Sequence, residues 1–296
     1  MKLSTILTLL AIAIGLGFIS FWLAQQSYAW FPPAASQEAR LIDNLFAFTV
    51  FLGTFIFLGV TGTITYSVLT QRVSRFDLTD GPPIEGSLTL EIVWTAIPLL
   101  LVFIIAGYSY WTYEHMAVRG PMDLVHLHVP GLESAYAAPM TEAAIEEIEV
   151  TAKQWAWAFR YPTANVTSAE LHVPVNHRVR LIMRTEDVIH GLYVPAFRLK
   201  QDIVPQHTVE FEFTPVREGI YRLSDSQFSG TYFALMQTYV VVESDNEYRQ
   251  WLATTATRPL APASNLPYEE YTGQKKPGFK AGWPTVKPAP PPLVNG

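Results

Sequence analysis

The chain has 296 residues, a formal net charge of −6 and no cysteine. The missing thiols exclude disulfide staples and any chemistry that needs a thiolate, and the mild acidity without a basic run argues against a nucleic-acid-binding role. A mean hydropathy of +0.17 is high for a soluble protein, so the apolar residues must be gathered somewhere.

They gather in three N-terminal blocks, Leu3–Ala24, Leu45–Leu69 and Ile92–Tyr113. No Asp, Glu, Lys or Arg lies between Asp43 and Arg72, or between Glu91 and Glu114. Each gap exceeds the roughly 20 residues a helix needs to cross the hydrocarbon core. The second and third blocks therefore predict a transmembrane helical hairpin over residues 41–115. The first block has two readings. Lys2 ahead of it and the small residues Ser27 and Ala29 after it fit a cleaved signal peptide over residues 1–29. Its apolar run is long for a signal core and fits an extra spanning helix equally well. In both versions Arg40 lies outside the cytoplasm and Leu45–Leu69 runs inward. The link bearing Arg72 and Arg75 is then cytoplasmic, as the positive-inside rule prefers, and everything after Tyr113 is external.

Residues 116–144, broken by Pro121, Pro130 and Pro139, read as a connecting segment. Period-two runs follow: "IEEIEVTAKQWAWAFRYP", "ELHVPV", "HRVRLIMRT", "TVEFEFTP", "GIYRLSD" and "ALMQTYVVVES". In "HTVEFEFTP", Glu210 and Glu212 interleave with Val209, Phe211 and Phe213, the pattern of a strand with one wet face. Trp155 and Trp157 fall at alternate positions of one strand and so face the same side. "NEYRQWLATTA" (Asn246 to Ala256) suits a short closing helix. Residues 145–257 thus predict an external all-β domain, a sandwich or barrel. The Pro-rich residues 258–296 predict an extended, poorly ordered tail.

Three motifs in this framework resemble subunit II of the haem–copper respiratory oxidases. They are "LEIVWTAIP" (Leu90 to Pro98), "KQWAWAFRYP" (Lys153 to Pro162) and "EDVIHGLYVPAFRLKQDIVP" (Glu186 to Pro205), within a likeness running from about Leu45 to Ser244. The resemblance implies a Greek-key cupredoxin-like β-barrel on the helical hairpin. It also implies a dinuclear copper site, whose loop in copper-containing members reads Cys-x-x-x-Cys-x-x-x-His-x-x-Met with a Glu two residues after the first Cys. Aligned on Met236, this chain has Asp225 and Ser229 at the Cys positions, Phe233 at the His and Gln227 at the Glu. Of the ligand set only His190 and Met236 remain.

A copper pair sharing one electron needs bridging thiolates, because soft, electron-rich sulfur delocalises the charge. A hard Asp oxygen, a Ser hydroxyl and a Phe ring do not replace them. A mononuclear site recruiting His207 or Asp225 is the alternative. Otherwise His190 is an imidazole that packs and hydrogen-bonds within its loop, Met236 fills the core, and Phe233 plugs the space vacated by metal. Trp155 occupies the position that receives electrons from cytochrome c in copper-containing relatives. Without an acceptor behind it, packing is the better role. Gln227 matches a Glu that also reaches a magnesium ion shared with subunit I, and an uncharged amide would hold that ion weakly. Glu91, three residues before Trp94, matches the mouth of a proton channel into subunit I. Its other reading is a carboxylate stabilised by a helix N-terminus.

The functional expectation is a non-catalytic subunit II of a proton-translocating terminal oxidase that reduces oxygen to water. This chain would bind no cofactor, and the haems and catalytic copper would sit in subunit I. Its partners would be subunit I, the other subunits and the lipid bilayer of the bacterial cytoplasmic membrane, with quinol as electron donor to the complex. "KQWAW" and "VIHGLYVP" look nearer the cytochrome c oxidase branch, which suggests a lineage that discarded copper. The rival readings are a cytochrome c-accepting subunit with an atypical copper site and a free-standing membrane-anchored copper-binding module.

Overall fold

The structure, a computed structural model, describes residues 3–72, 86–116, 145–273 and 286–295. It divides into two units, residues 1–31 with 41–115, and residues 32–40 with 116–296.

The first unit is helical. α1 covers Leu3–Ser27, α2 Gln37–Thr70 and α3 Leu88–His115. Each is long and apolar enough to cross a membrane, and the chain is a membrane protein. At about 1.5 Å per residue, the 34 residues of α2 rise about 50 Å, more than the hydrocarbon thickness. Its polar first turn, Gln37–Arg40, therefore projects beyond the bilayer core. Glu91 lies in the first turn of α3, and Pro98 sits inside the same helix. Arg75 and residues 117–144 of the connecting segment lie outside the described residues.

The second unit is built on two five-stranded sheets. One has the order β3-β2-β1-β5-β8, from β1 Glu146–Lys153, β2 Ala156–Tyr161, β3 Val166–Ser168, β5 Val179–Thr185 and β8 Val209–Phe213. The other has the order β4-β10-β9-β6-β7, from β4 Leu171–Pro174, β6 His190–Val194, β7 Leu199–Ile203, β9 Gly219–Asp225 and β10 Gln237–Glu243. The pairs β1/β5 and β4/β10 are parallel and the rest antiparallel, so strands distant in sequence meet, as a Greek-key path requires. Alternation supplies the core. Ile148, Val150 and Ala152 of β1 and Val179, Leu181 and Met183 of β5 point inward against Leu192, Leu223, Val240 and Val242 of the other sheet. This is a cupredoxin-like β-barrel.

Three sequence expectations change here. First, "IEEIEVTAKQWAWAFRYP" is a hairpin and not one strand. β1 and β2 pair antiparallel with Lys153 opposite Ala156, so Trp155 occupies the corner and Trp157 the strand. Both are buried nonetheless.

Second, Glu212 does not face water. Arg180 is its cross-strand partner in β5 and donates from Nε at 2.8 Å, while Arg178 Nε donates at 3.1 Å. Arg178 Nη1 also donates to Glu38 Oε1 at 3.0 Å, and Glu38 further accepts from Thr214 N. Glu38 belongs to a strap, residues 32–40, whose Ala35 N bonds Ala196 O and whose Ala35 O accepts from Val216 N, both at 2.9 Å. The strap covers the end of β8 and turns a wet face into a buried ion network.

Third, the described part of residues 258–295 is folded. β11 Leu260–Pro262 pairs with β12 Leu293–Asn295, and α5 covers Leu266–Gly273. Composition pointed to disorder, but a few anchors (Asn265, Val294, Asn295) are buried or bonded into the barrel. The preceding helix α4, Asp245–Ala256, starts on a capping box in which Ser244 and Glu247 satisfy each other's backbone N–H groups.

Candidate functional site

The end of β9, the start of β6 and the loop Ser226–Met236 converge on one imidazole. His190 opens β6 and is fully buried. Its Nδ1 lies 2.8 Å from Asp225 Oδ2 and its Nε2 lies 3.0 Å from Asp187 Oδ1. Ionised carboxylate oxygens only accept, so with Asp187 and Asp225 both ionised the two ring nitrogens both donate, the arrangement that suits an imidazolium.

Asp225, the last residue of β9, has no vacant lone pair left. Oδ2 also accepts from Ser229 Oγ at 2.7 Å, while Oδ1 accepts from Gly191 N at 2.8 Å and Gln227 N at 2.9 Å. Burial, the largest influence, pushes this carboxyl upward, yet these hydrogen bonds outweigh it and hold its pKa below the ordinary 3.8. The balance is the same at Asp187. Burial raises it, and bonds from His190, Val188 N and Gln154 N bring it below 3.8. Burial alone would lower His190, but the hydrogen bonds and charges of Asp225 and Asp187 lift it above the ordinary 6.5.

Sequence reasoning brought together His190, Asp225, Ser229, Gln227 and Met236, and missed Asp187. Its signal was its position three residues before His190 in "EDVIHG", where a turn folds it back under the ring. Thr185 Oγ1, Val188 N and Gln154 N all donate to Asp187 and hold it there. Met236 is buried, and its carbonyl accepts from Asp225 N at 3.0 Å and Trp157 Nε1 at 3.4 Å, closing the loop.

Phe233, the apolar plug expected from the sequence, packs against the core without being fully buried. It is half-buried and meets the exposed Phe228 edge-on at 5.1 Å. The loop's buried aromatic is Tyr232, T-shaped against Trp155 at 5.1 Å. The place left by the thiols is filled by polar groups. His207 is exposed in the turn between β7 and β8 and takes no part in this network.

Trp155 is only 1% exposed, and its Nε1 donates to Ser229 O at 3.1 Å. Gly230 stands against the indole so closely that a Cβ there would come within 2.8 Å of it. Gln227 turns its amide nitrogen to Asp202 Oδ2 at 2.8 Å, while Asp202 Oδ1 is buried without a hydrogen-bond partner among the described residues. Glu91 remains apart, in the helical unit.

These residues do not fit a dinuclear copper centre. The bridging atoms would be a carboxylate oxygen that already accepts from two donors and a hydroxyl committed to that same oxygen. The histidine has no free lone pair. Among the described residues, no group of three His, Cys, Asp or Glu side chains is arranged to hold a metal ion.

Two families match the chain: cytochrome c oxidase subunit II, transmembrane domain, over residues 22–111, and the same subunit's periplasmic domain over residues 164–244. Cytochrome c oxidase subunit 2 of Synechocystis sp. is 31% identical over 290 residues, covering 88% of this chain and 85% of that protein. The subunit 2 of Thermostichus vulcanus is 34% identical over 280 residues, covering 83% and 85%. Among solved structures, the periplasmic domain of cytochrome oxidase subunit II from Bradyrhizobium japonicum is 28% identical, with 38% of this chain and 94% of that one aligned at a TM-score of 0.36. The two subunit 2 relatives, matched over more than four-fifths of this chain and of each of theirs, show that the chain belongs to the subunit II family of the haem–copper oxidases.

Proposed function

We propose that this chain is the non-catalytic subunit II of a proton-translocating terminal oxidase, that it carries no copper, and that its complex takes electrons from quinol at subunit I. One observation carries this reading: both ring nitrogens of His190, the surviving ligand, are taken up by carboxylates, Asp225 and Asp187, an arrangement that suits an imidazolium and leaves no lone pair for a metal. A proton occupies the role of the cation. Without a metal there is no relay behind Trp155, so electrons must reach the haems of subunit I by another route, and a membrane quinol is the donor already at hand in the bilayer.

In this reading the helices sit in the bacterial cytoplasmic membrane and the β domain faces the outer or periplasmic side. Subunit I and the remaining subunits are its partners. The chain anchors and seals the complex, and Glu91 serves proton uptake from the cytoplasmic side.

The names of the relatives favour a second reading, electron input from cytochrome c. Oxygen consumption by the purified complex, supplied in turn with ubiquinol and reduced cytochrome c, separates the two. Turnover with quinol supports the copper-free subunit. Turnover with the cytochrome alone, together with stoichiometric copper and a near-infrared band, overturns it.

A further inference from the structure

The segment after α4 has no part in that reading, and the match to the periplasmic-domain family stops at residue 244. Yet this segment returns to the site. Its β11–β12 ribbon is closed by Asn295 Nδ2, which donates to Arg258 O at 3.0 Å. Asn295 Oδ1 accepts from Thr167 N at 2.8 Å, fixing the ribbon to β3, and Val294 is buried. From this anchorage two bonds reach the corner between β1 and β2. Ala289 N donates to Gln154 O at 2.6 Å. Asn265 Nδ2 donates to Trp155 O at 3.1 Å. Asn265 is buried, and its Oδ1 accepts from Tyr268 N at 2.8 Å, which sets which way its amide faces.

The same two corner residues reach the other way with their side chains. Gln154 Nε2 and Trp155 Nε1 both donate to Ser229 O, at 2.6 and 3.1 Å. Gln154 and Trp155 are therefore gripped twice. Their carbonyls are held by the C-terminal segment, and their side chains hold the turn that carries Ser229.

We propose that residues 260–273 and 286–295 form a clasp built into the chain, which steadies the β1–β2 corner and through it the loop 229–236. In a metal centre, bonds through the cation would cross-link that loop to β6. Here the clasp supplies the restraint from the opposite side. Its geometry stands without the copper-free reading; its purpose, replacing a metal cross-link, rests on that reading.

Hydrogen–deuterium exchange on the full chain in its purified complex tests this. Ala289→Pro is the sharpest variant. Ala289 sits between Pro288 and Pro290, where another proline suits the extended backbone and removes only the N–H that bonds Gln154. Asn265→Ala removes the second bond independently. Each variant should speed exchange at amides 229–236 about fivefold, the factor for one ordinary net hydrogen bond. The β5 and β8 amides should keep their rates. Unchanged exchange at 229–236 in both variants overturns the clasp, whether or not residues 286–295 loosen. A uniform rise across the barrel overturns it too, since the segment would then act on the whole domain. Donor preference in the oxygen assay is a separate readout, so a failure of the clasp and a failure of the quinol assignment are told apart.

Discussion

His190 Nδ1 lies 2.8 Å from Asp225 Oδ2, with both side chains withdrawn completely from solvent. Buried charges of this kind are tolerable only while both are present. Asp225→Asn keeps an acceptor for Gly191 N and Gln227 N but sets an amide N–H against the imidazolium N–H. It should destabilise the β domain by about 3–5 kcal/mol, the usual result of stranding one buried partner. Denaturant unfolding measures this. Adding His190→Gln to the same chain should cost less than the two single changes summed, because the second change removes the stranded charge. Additive losses would mean that the pair is not coupled.

The same cluster fixes a pH dependence. The pKa of His190 is raised above 6.5 in the folded chain, so its contribution is complete below 6.5 and fades as pH rises through the raised value. Those of Asp187 and Asp225 are depressed below 3.8, so theirs is present above 3.8 and fades as pH falls through the lowered values. The window in which all three contribute in full runs from about pH 4 to about pH 6.5. The denaturant midpoint should fall on the alkaline side in the wild-type chain, and His190→Gln should flatten that fall. A wild-type midpoint that climbs from pH 6.5 to pH 9 contradicts an imidazolium at this position.

Much of this architecture is legible in the residues, because long charge-free blocks and period-two alternation are local patterns. The spanning helices and most strands announce themselves that way. The loop from Asp225 to Met236 was legible as the outline of a metal site only through its resemblance to the copper loop of the family. Asp187 was not, since only the fold swings it beneath His190. Nor was Glu212, which reads as solvent-facing in β8 until Arg178 and Arg180 at the start of β5, with Glu38 of the distant strap bonded to Arg178, close over it. Proline content hid the clasp, because its hold depends on a few single residues and not on a repeating pattern.

Trp155 distinguishes a structural role from an electron-transfer one. Trp155→Phe removes the Nε1 donor and leaves Ser229 O with Gln154 as its remaining side-chain donor. The lost hydrogen bond costs about 1 kcal/mol, and the volume removed from the contact with Tyr232 adds to that. If electrons enter from quinol at subunit I, quinol-driven oxygen consumption should be unaffected. A rate that collapses while the unfolding midpoint holds would restore the indole to the electron path.

Glu91 stands in the first turn of α3, where the helix N-terminus favours a carboxylate whatever its use. Position alone therefore does not separate a cap from a proton donor, but kinetics does. If Glu91 takes up protons for subunit I, Glu91→Ala should lower quinol-driven turnover severalfold at an unchanged yield of assembled complex. Glu91→Asp, which keeps an ionisable group, should recover part of it. A cap contributes to helix stability only, about 0.3–1 kcal/mol, and would show in assembly and not in rate. Normal turnover in Glu91→Ala assigns the residue to the helix, while a loss rescued by aspartate assigns it to the proton.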